Sequence, residues 1–325
     1  MSTLRTVFSL AAEHGFELNG MDVDAAYLNA PVEQELFVKL PPSVPLSLET
    51  YRLYAACVKA CTASSRAAET GITLLTIFLL GLPLSRVLGT EVRHDRSNGT
   101  ITISQGSYIR EVLKRYGFDE CRGVPIPAEG KVKISAPDRG RSGSSSECRG
   151  MIGSVLYAST GIRPDIAYAV HQVARRTEDP CREDFSTCKR IFRYPSNVPD
   201  LGITFGGESN GHGLEGFVDA DWVEDVEDRK SKTGYVFKLN GGAIRWCSRK
   251  QQFVTWSSTE AEYVAAGEAG KDTVYLGELL GLIRFGCRGS TTLFGDNKSA
   301  INLSKGSGAH CRTKHIGVRW HGIRE

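Results

Sequence analysis

The sequence predicts an α/β (α+β) fold in which residues 213–325 form a mixed sheet with helices. Alternating apolar and polar residues predict three strands, in GLEGFVDA, in KTGYVFKLN and in GAIRWCS, the last continuing into QQFVTWSS after a break near Arg249. Asn240-Gly241 joins the second and third strands as a tight hairpin, because both residues tolerate positive φ. A long helix from STEAEYVAA towards Phe285, a strand at TTLFGD and a short helix at NKSAINLSKG complete the order.

The residues before this sheet divide by composition into three segments. Residues 1–126 mix strand-like and helical stretches and end with a short polar strand and an amphipathic helix, in TITISQGSYIREVLKRYGF. Residues 127–148 are rich in Pro, Gly and Ser, which predicts a mobile linker. In residues 149–212, apolar side chains recur every three or four positions, which predicts a helical connection segment.

Composition limits the class of protein. The 325 residues, 41% of them hydrophobic, are enough for two packed domains, and a formal net charge of +3 neither favours nor excludes a nucleic-acid partner. Nine cysteines without a C-x-x-C pair argue against a disulfide framework or a structural zinc site and favour an intracellular, reducing compartment. The apolar stretch at residues 72–84 is too short to span a bilayer and is interrupted by Pro83, so we expect no membrane role.

Three carboxylates fall at the ends of predicted elements. Asp219 ends the first strand, Glu262 lies in the first turns of the long helix, and Asp296 ends the fourth strand. In a mixed sheet crossed by that helix, these positions converge at one edge. Like charges repel and raise each other's pKa, so such a cluster needs compensation, which two Mg²⁺ ions about 4 Å apart would supply.

Each carboxylate also has a simpler interpretation. Thr259 with Glu262, and Ser257 with Glu260, fit the S/T-x-x-E capping box, so either glutamate could close the start of a helix. Asp296 could cap the short helix, and Asp219 could be a turn residue. The order of the three residues on strand, helix and strand favours the metal site.

Long motifs around these residues resemble one known family. GFVDADWVED, RKSKTGYVFKLNGGAIRWCSRKQQFVTWSSTEAEYVAAGEA, GDNKSAINL and HCRTKHIGVRWHGIRE are similar to the ribonuclease H region of copia-type retrotransposon Pol polyproteins. The resemblance implies a ribonuclease H-like domain over residues 213–325, with Asp219, Glu262 and Asp296 as catalytic metal ligands. It also implies Mg²⁺ or Mn²⁺ as cofactor, and an RNA–DNA hybrid or other nucleic acid as partner.

Upstream motifs resemble other parts of the same polyproteins. SQGSYIREVLKRYGF and RGMIGSVLYASTGIRPDIAYAVHQVARR are similar to the segments that join reverse transcriptase to ribonuclease H. MDVDAAYLNAPVEQELFVKLPP resembles the first catalytic motif of the reverse transcriptase palm, which makes Asp22 a remnant of its metal site. The sequence lacks the Tyr-Val-Asp-Asp hairpin of that family. We therefore expect residues 1–126 to be a truncated palm and thumb remnant without polymerase activity.

The end of the sequence departs from the family as well. An acidic residue is usual at the position of Gly317, and the chain stops at GIRE, before the Ala-Asp pair that would supply a fourth carboxylate. We therefore expect a weak or inactive nuclease, with other polyprotein products as possible partners. Two alternatives stay open: a non-catalytic module that binds the RNA–DNA hybrid, and a translated pseudogene without function.

Basic and aromatic residues give weaker indications. Basic residues flank the carboxylate motifs and could contact the phosphates of a nucleic acid, although an ordinary solvated surface explains them equally well. Trp222, Trp246 and Trp256 fit core or strand-face positions better than base-stacking platforms. The basic candidates are Arg229, Lys230, Lys232, Lys250, Arg312 and Lys314.

Overall fold

The chain divides into two compact units, residues 1–16 with 86–325, and residues 17–85. The computed structural model describes residues 1–15, 18, 85–128, 145–207, 213–223, 228–282 and 291–305. The first unit therefore contains nearly all of the described structure. Asp22, the apolar stretch 72–84, Arg312 and Lys314 lie outside the described residues. Within those residues, no helix combines the length and the apolar content that crossing a membrane requires.

The first sheet has four antiparallel strands in the order β1-β2-β3-β4. The strand predicted before the amphipathic helix is β3, and it is polar on one face only, because Ile101 and Ile103 are buried. The helix that follows it, α2, also forms where the sequence predicts it. The bounds are β1 Arg86–Val87, β2 Thr90–Asp95, β3 Thr100–Ser104, α2 Gly106–Arg115 and β4 Ile203–Gly206.

A helical layer connects β3 to β4 and forms an apolar core of its own. Cys148, Ile152, Val170 and Phe192 are among its fully buried members, so the three-to-four spacing of the sequence corresponds to one buried face on each helix. Its first helix begins at Ser145, inside the segment predicted as a linker. The bounds are α3 Ser145–Gly161, a 3₁₀ turn Pro164–Ile166, α4 Ala167–Ala174 and α5 Arg182–Asn197.

The second sheet has the strand order β7-β6-β5-β8, with β5 and β8 parallel and the other pairs antiparallel. Asn240 and Gly241 form the predicted hairpin with φ of 48° and 82°. Helix α6 packs on β5 and β6 and contacts α7. The bounds are β5 Glu215–Asp221, β6 Lys232–Leu239, β7 Gly242–Lys250, α6 Ser258–Leu282, β8 Thr292–Phe294 and α7 Lys298–Ser304.

The predicted continuation of β7 into QQFVTWSS is wrong. The strand ends at Lys250, and the chain then turns towards α6. Gln251 fixes this turn, because its backbone N–H donates to the Ser231 carbonyl and its side-chain amide donates to Thr233 Oγ1 and to the Ala261 carbonyl. These hydrogen bonds replace the ladder that a longer strand would need.

The amino-terminal helix, α1 Ser2–His14, packs against β3, β4 and β7. Asn240 Nδ2 donates to the Ser9 carbonyl, to Ser9 Oγ and to Glu13 Oε2, at 3.1, 3.0 and 2.7 Å. Arg5 lies 3.8 Å from the centre of the Trp246 ring and donates to the Gly161 carbonyl. Burial, and to a lesser extent the charge of Arg245, lowers the pKa of Arg5 to about 9. Helix α1 thus packs against strands of both sheets.

Candidate metal centre

The parallel pairing of β5 and β8 explains how two of the three carboxylates meet. Phe217 pairs with Phe294 across these strands, and Asp219 and Asp296 each follow two residues later. Parallel strands run in the same direction, so both aspartates reach the same edge of the sheet. Glu262 approaches from the second turn of α6, and one ligand oxygen from each carboxylate lies within 4.8 Å of the others.

Glu262 is the buried member of this trio. Its side chain is 8% exposed, whereas Asp219 and Asp296 are exposed. Burial, then the charge of Asp219 and more weakly that of Asp296, raises the pKa of Glu262 to about 7, against the opposing effect of a hydrogen bond from the Ala220 N–H. A divalent cation would offset the repulsion that this raised pKa reflects.

Residues next to the three carboxylates cap the helices. Ser257 Oγ accepts from the Glu260 N–H at 3.2 Å, and Glu260 Oε2 accepts from the Trp256 N–H at 2.8 Å, so Glu260 closes the start of α6. Asn297 caps α7, because its Oδ1 accepts from the Ala300 N–H at 3.0 Å. Glu262 and Asp296 are therefore not needed as caps, and Asp219 lies within β5 and not in a turn.

The donor set fits Mg²⁺ or Mn²⁺. These ions prefer carboxylate oxygens and keep several water ligands, and two of the three carboxylates here are open to solvent. In the part of the chain that the structure describes, no other group of three acidic, histidine or cysteine side chains comes together in this way.

The described basic candidates differ in how far they face solvent. Arg229 is exposed, whereas Lys230 and Lys250 both pair with Asp228 Oδ2, at 3.7 and 2.7 Å. Lys232 is only 5% exposed, and its ammonium lies 5.0 Å from the centre of the Tyr168 ring in α4. A buried lysine over an aromatic ring is not what a simple solvated-surface interpretation predicts.

The interpretation of the tryptophans as core or strand-face residues is wrong for two of the three. Trp222 is 49% exposed and Trp256 83% exposed, because both lie beyond the end of a strand. Trp246 lies in β7 and is half-buried, with its indole N–H donating to the Ser159 carbonyl at 2.8 Å. Sequence reasoning also missed an exposed, stacked pair, Phe217 and Phe294, with ring centroids 5.1 Å apart. The parallel register of β5 and β8 creates this pair, and no local pattern signals it.

The mixed sheet brings one carboxylate from a helix to two carboxylates from strands. The chain is therefore an α+β protein with a candidate divalent-metal centre. The chain is 30% identical, over its whole length, to the "Retrovirus-related Pol polyprotein from transposon TNT 1-94" of Nicotiana tabacum. It is 33% identical, over 68% of its length, to the "Retrovirus-related Pol polyprotein from transposon RE1" of Arabidopsis thaliana. It is also 42% identical, over 38% of its length, to 87% of the "Secreted RxLR effector protein 161" of Plasmopara viticola.

The chain is a relative of the Pol polyproteins of copia-type retrotransposons and corresponds to a fragment of one. It spans 29% of the length of the tobacco polyprotein and 15% of the Arabidopsis one. The alignment with the tobacco protein runs over 390 positions, more than the 325 residues of this chain, so that relative has residues here that this chain lacks. No protein-family model and no solved structure matches the chain.

Proposed function

We propose that residues 213–325 form a ribonuclease H-like domain that hydrolyses the RNA strand of RNA–DNA hybrids with Mg²⁺ or Mn²⁺. The observation that carries the proposal is the convergence of Asp219, Glu262 and Asp296 within 4.8 Å from three separate elements. The sequence similarity to retrotransposon Pol polyproteins supports the choice of nucleic acid as substrate.

The three side chains have different parts in this chemistry. Asp219 and Asp296 are exposed and would face an approaching phosphodiester, whereas Glu262 is held from behind by the Ala220 N–H. When bound, Mg²⁺ supplies a more acidic water and positive charge near the phosphodiester oxygens. Because the pKa of Glu262 is about 7, part of the metal-free population carries a neutral Glu262 at neutral pH. This partial protonation competes with metal binding, so the affinity for the metal should rise with pH.

The test is cleavage of a hybrid whose RNA strand carries a 5′ label, by the full chain, in Mg²⁺, in Mn²⁺ and in EDTA. We expect slow, metal-dependent cleavage that falls at least about 100-fold in Asp219→Asn, Glu262→Gln or Asp296→Asn. Asp200→Asn is the matched control, because Asp200 is also exposed but pairs with Arg110 away from the metal centre.

Two results would contradict the proposal. Cleavage that survives all three substitutions would come from a contaminating nuclease or from another site. Hybrid binding without any cleavage in either metal would identify the chain as a binding module instead.

We also propose that the chain has no DNA polymerase activity, because the sequence offers Asp22 without the aspartate pair that a palm site requires. Primer extension on an RNA template, with Mg²⁺ and all four deoxynucleotides, is the measurement, and a commercial reverse transcriptase serves as the positive control. Metal-dependent extension by the purified chain, lost in Asp22→Asn, would show this interpretation to be wrong. Other products of a retrotransposon polyprotein are the partners that could supply synthesis.

A further inference from the structure

A basic cavity of about 330 Å³ lies between α4 and β7, apart from the three carboxylates. We propose that this cavity is a phosphate subsite that holds the backbone of the nucleic-acid strand on its way across the sheet. The choice of ligand rests on the proposed function. The cavity is lined by Leu156, His171, Gln172, Ala174, Arg175, Lys232, Ser248, Arg249 and Lys250.

The lining of the cavity is unusually rich in cations. Four of its nine described residues are lysine or arginine. No carboxylate is among the described residues that line it. An anion of about the size of a phosphate would therefore meet positive charge from α4 on one side and from the sheet on the other.

The cations are held in place by the surrounding structure. Lys232 lies over the Tyr168 ring, Arg249 forms an ion pair with Glu268, and Lys250 pairs with Asp228. Arg175 donates to the side-chain oxygen of Gln172, one helical turn away. Such contacts reduce the entropy that these long side chains would lose on binding a phosphate. Glu268 and Asp228 offset part of the positive charge of Arg249 and Lys250.

One row of paired residues leads across the sheet from the metal centre to the cavity. Asp219 pairs with Gly234, and Gly234 pairs with Ser248, so the row crosses β5, β6 and β7. At a strand spacing of about 4.8 Å, the Asp219 and Ser248 backbones lie roughly 10 Å apart. A second cavity, of about 610 Å³, is lined by Asp219 and shares Lys232 and Ser248 with the basic cavity. The two cavities thus share lining residues on the neighbouring strands β6 and β7.

This separation suits a nucleic-acid strand. Consecutive phosphates of one strand recur at intervals shorter than this distance, so a single strand can contact both positions. A strand with one phosphodiester at the carboxylates would place a later phosphate over the basic cavity. The cavity would then increase the affinity for the strand and fix the direction of the strand, without taking part in cleavage.

The experiment measures binding without cleavage, using the full chain in EDTA and a fluorescein-labelled 12-base-pair RNA–DNA hybrid. Anisotropy gives Kd at several salt concentrations from 50 to 200 mM. Loss of one phosphate contact should reduce the slope of log Kd against log salt by about 0.9. We expect this change, with a several-fold weaker Kd, in Arg175→Gln and separately in Lys250→Gln.

Arg115→Gln is the matched control. It also removes one exposed arginine with a partner of its own, Glu111, but it lies on α2, which lines neither cavity. The control should keep the slope of the wild type, and added inorganic phosphate should weaken binding less in Arg175→Gln than in the wild type. Thermal unfolding of each variant verifies that it is folded.

The outcomes separate the subsite from the nuclease. Equal slopes in Arg175→Gln, Lys250→Gln and Arg115→Gln would overturn the subsite, and so would the absence of hybrid binding by the wild type. A reduced slope in the two cavity variants supports the subsite even where the chain cleaves no hybrid in Mg²⁺ or Mn²⁺, and in that case only the proposed nuclease fails.

Discussion

Glu262 makes the stability of the metal-free protein depend on pH. Its pKa is about 7 in the folded state and about 4.5 for an ordinary glutamate, so between these values the folded state binds a proton that the unfolded state has lost. Stability should therefore fall as the pH rises from 4.5 to 7, with a total effect of roughly 2–3 kcal/mol. Urea denaturation in EDTA across this range is the measurement.

The comparison of two variants isolates this effect. Glu262→Gln removes the titrating group. The free energy of unfolding of this variant should therefore increase relative to that of the wild type as the pH rises. Glu111→Gln is the control, because Glu111 is an exposed carboxylate on α2. If Glu262→Gln follows the wild type at every pH, burial does not raise the pKa as described.

At the residue scale, the sequence predicted which carboxylates meet but not how exposed their neighbours are. Asp219, Glu262 and Asp296 follow from their places at element ends, which local patterns reveal. The exposure of Trp256 does not follow, since an aromatic residue after an apolar run resembles a strand residue until Gln251 turns the chain. Likewise, only the structure shows that Glu260 and not Glu262 caps α6, because both residues fit the same four-residue pattern.

At the scale of elements, short-range rules predicted most of the second sheet. The Asn240-Gly241 hairpin follows from two residues that adopt positive φ, and α6 and α7 begin within a residue or two of where the sequence places them. The parallel pairing of β5 with β8 could not be predicted as directly, because 77 residues separate the paired positions and only tertiary packing selects the partner. That pairing places two of the three carboxylates together, so the site depends on a non-local contact.

The docking of α1 is a second non-local feature that no sequence pattern indicated. The hydrogen bonds between Ser9 and Asn240 join residues 231 positions apart. The backbone of Asn240 forms part of the hairpin, and its side-chain amide donates hydrogen bonds to α1. One residue therefore links the amino-terminal helix to the hairpin between β6 and β7.

At the scale of the whole molecule, we expect residues 1–15 to be required for the stability of residues 86–305. Leu4, Phe8, Leu10 and Ala11 are each at most 5% exposed, and Arg5 covers the Trp246 ring. Burial of one large apolar side chain is worth roughly 1.5–3 kcal/mol, so losing several approaches the total stability of a typical domain. Deletion of residues 1–15 should therefore lower the urea midpoint sharply, or leave the chain unfolded in buffer.

A pair of full-length variants separates docking from chain length. Phe8→Asp should reproduce most of the destabilisation, because it places a charge where Phe8 is 1% exposed. His14→Ala, at the exposed end of the same helix, should have little effect. Trp246, which Arg5 covers, is one of four tryptophans, so the difference in fluorescence between the wild type and a Trp246→Phe variant reports loss of α1. If the deletion and Phe8→Asp both unfold at the urea midpoint of the wild type, α1 contributes nothing to the unit, and the sheets and helices of residues 86–305 are stable without it.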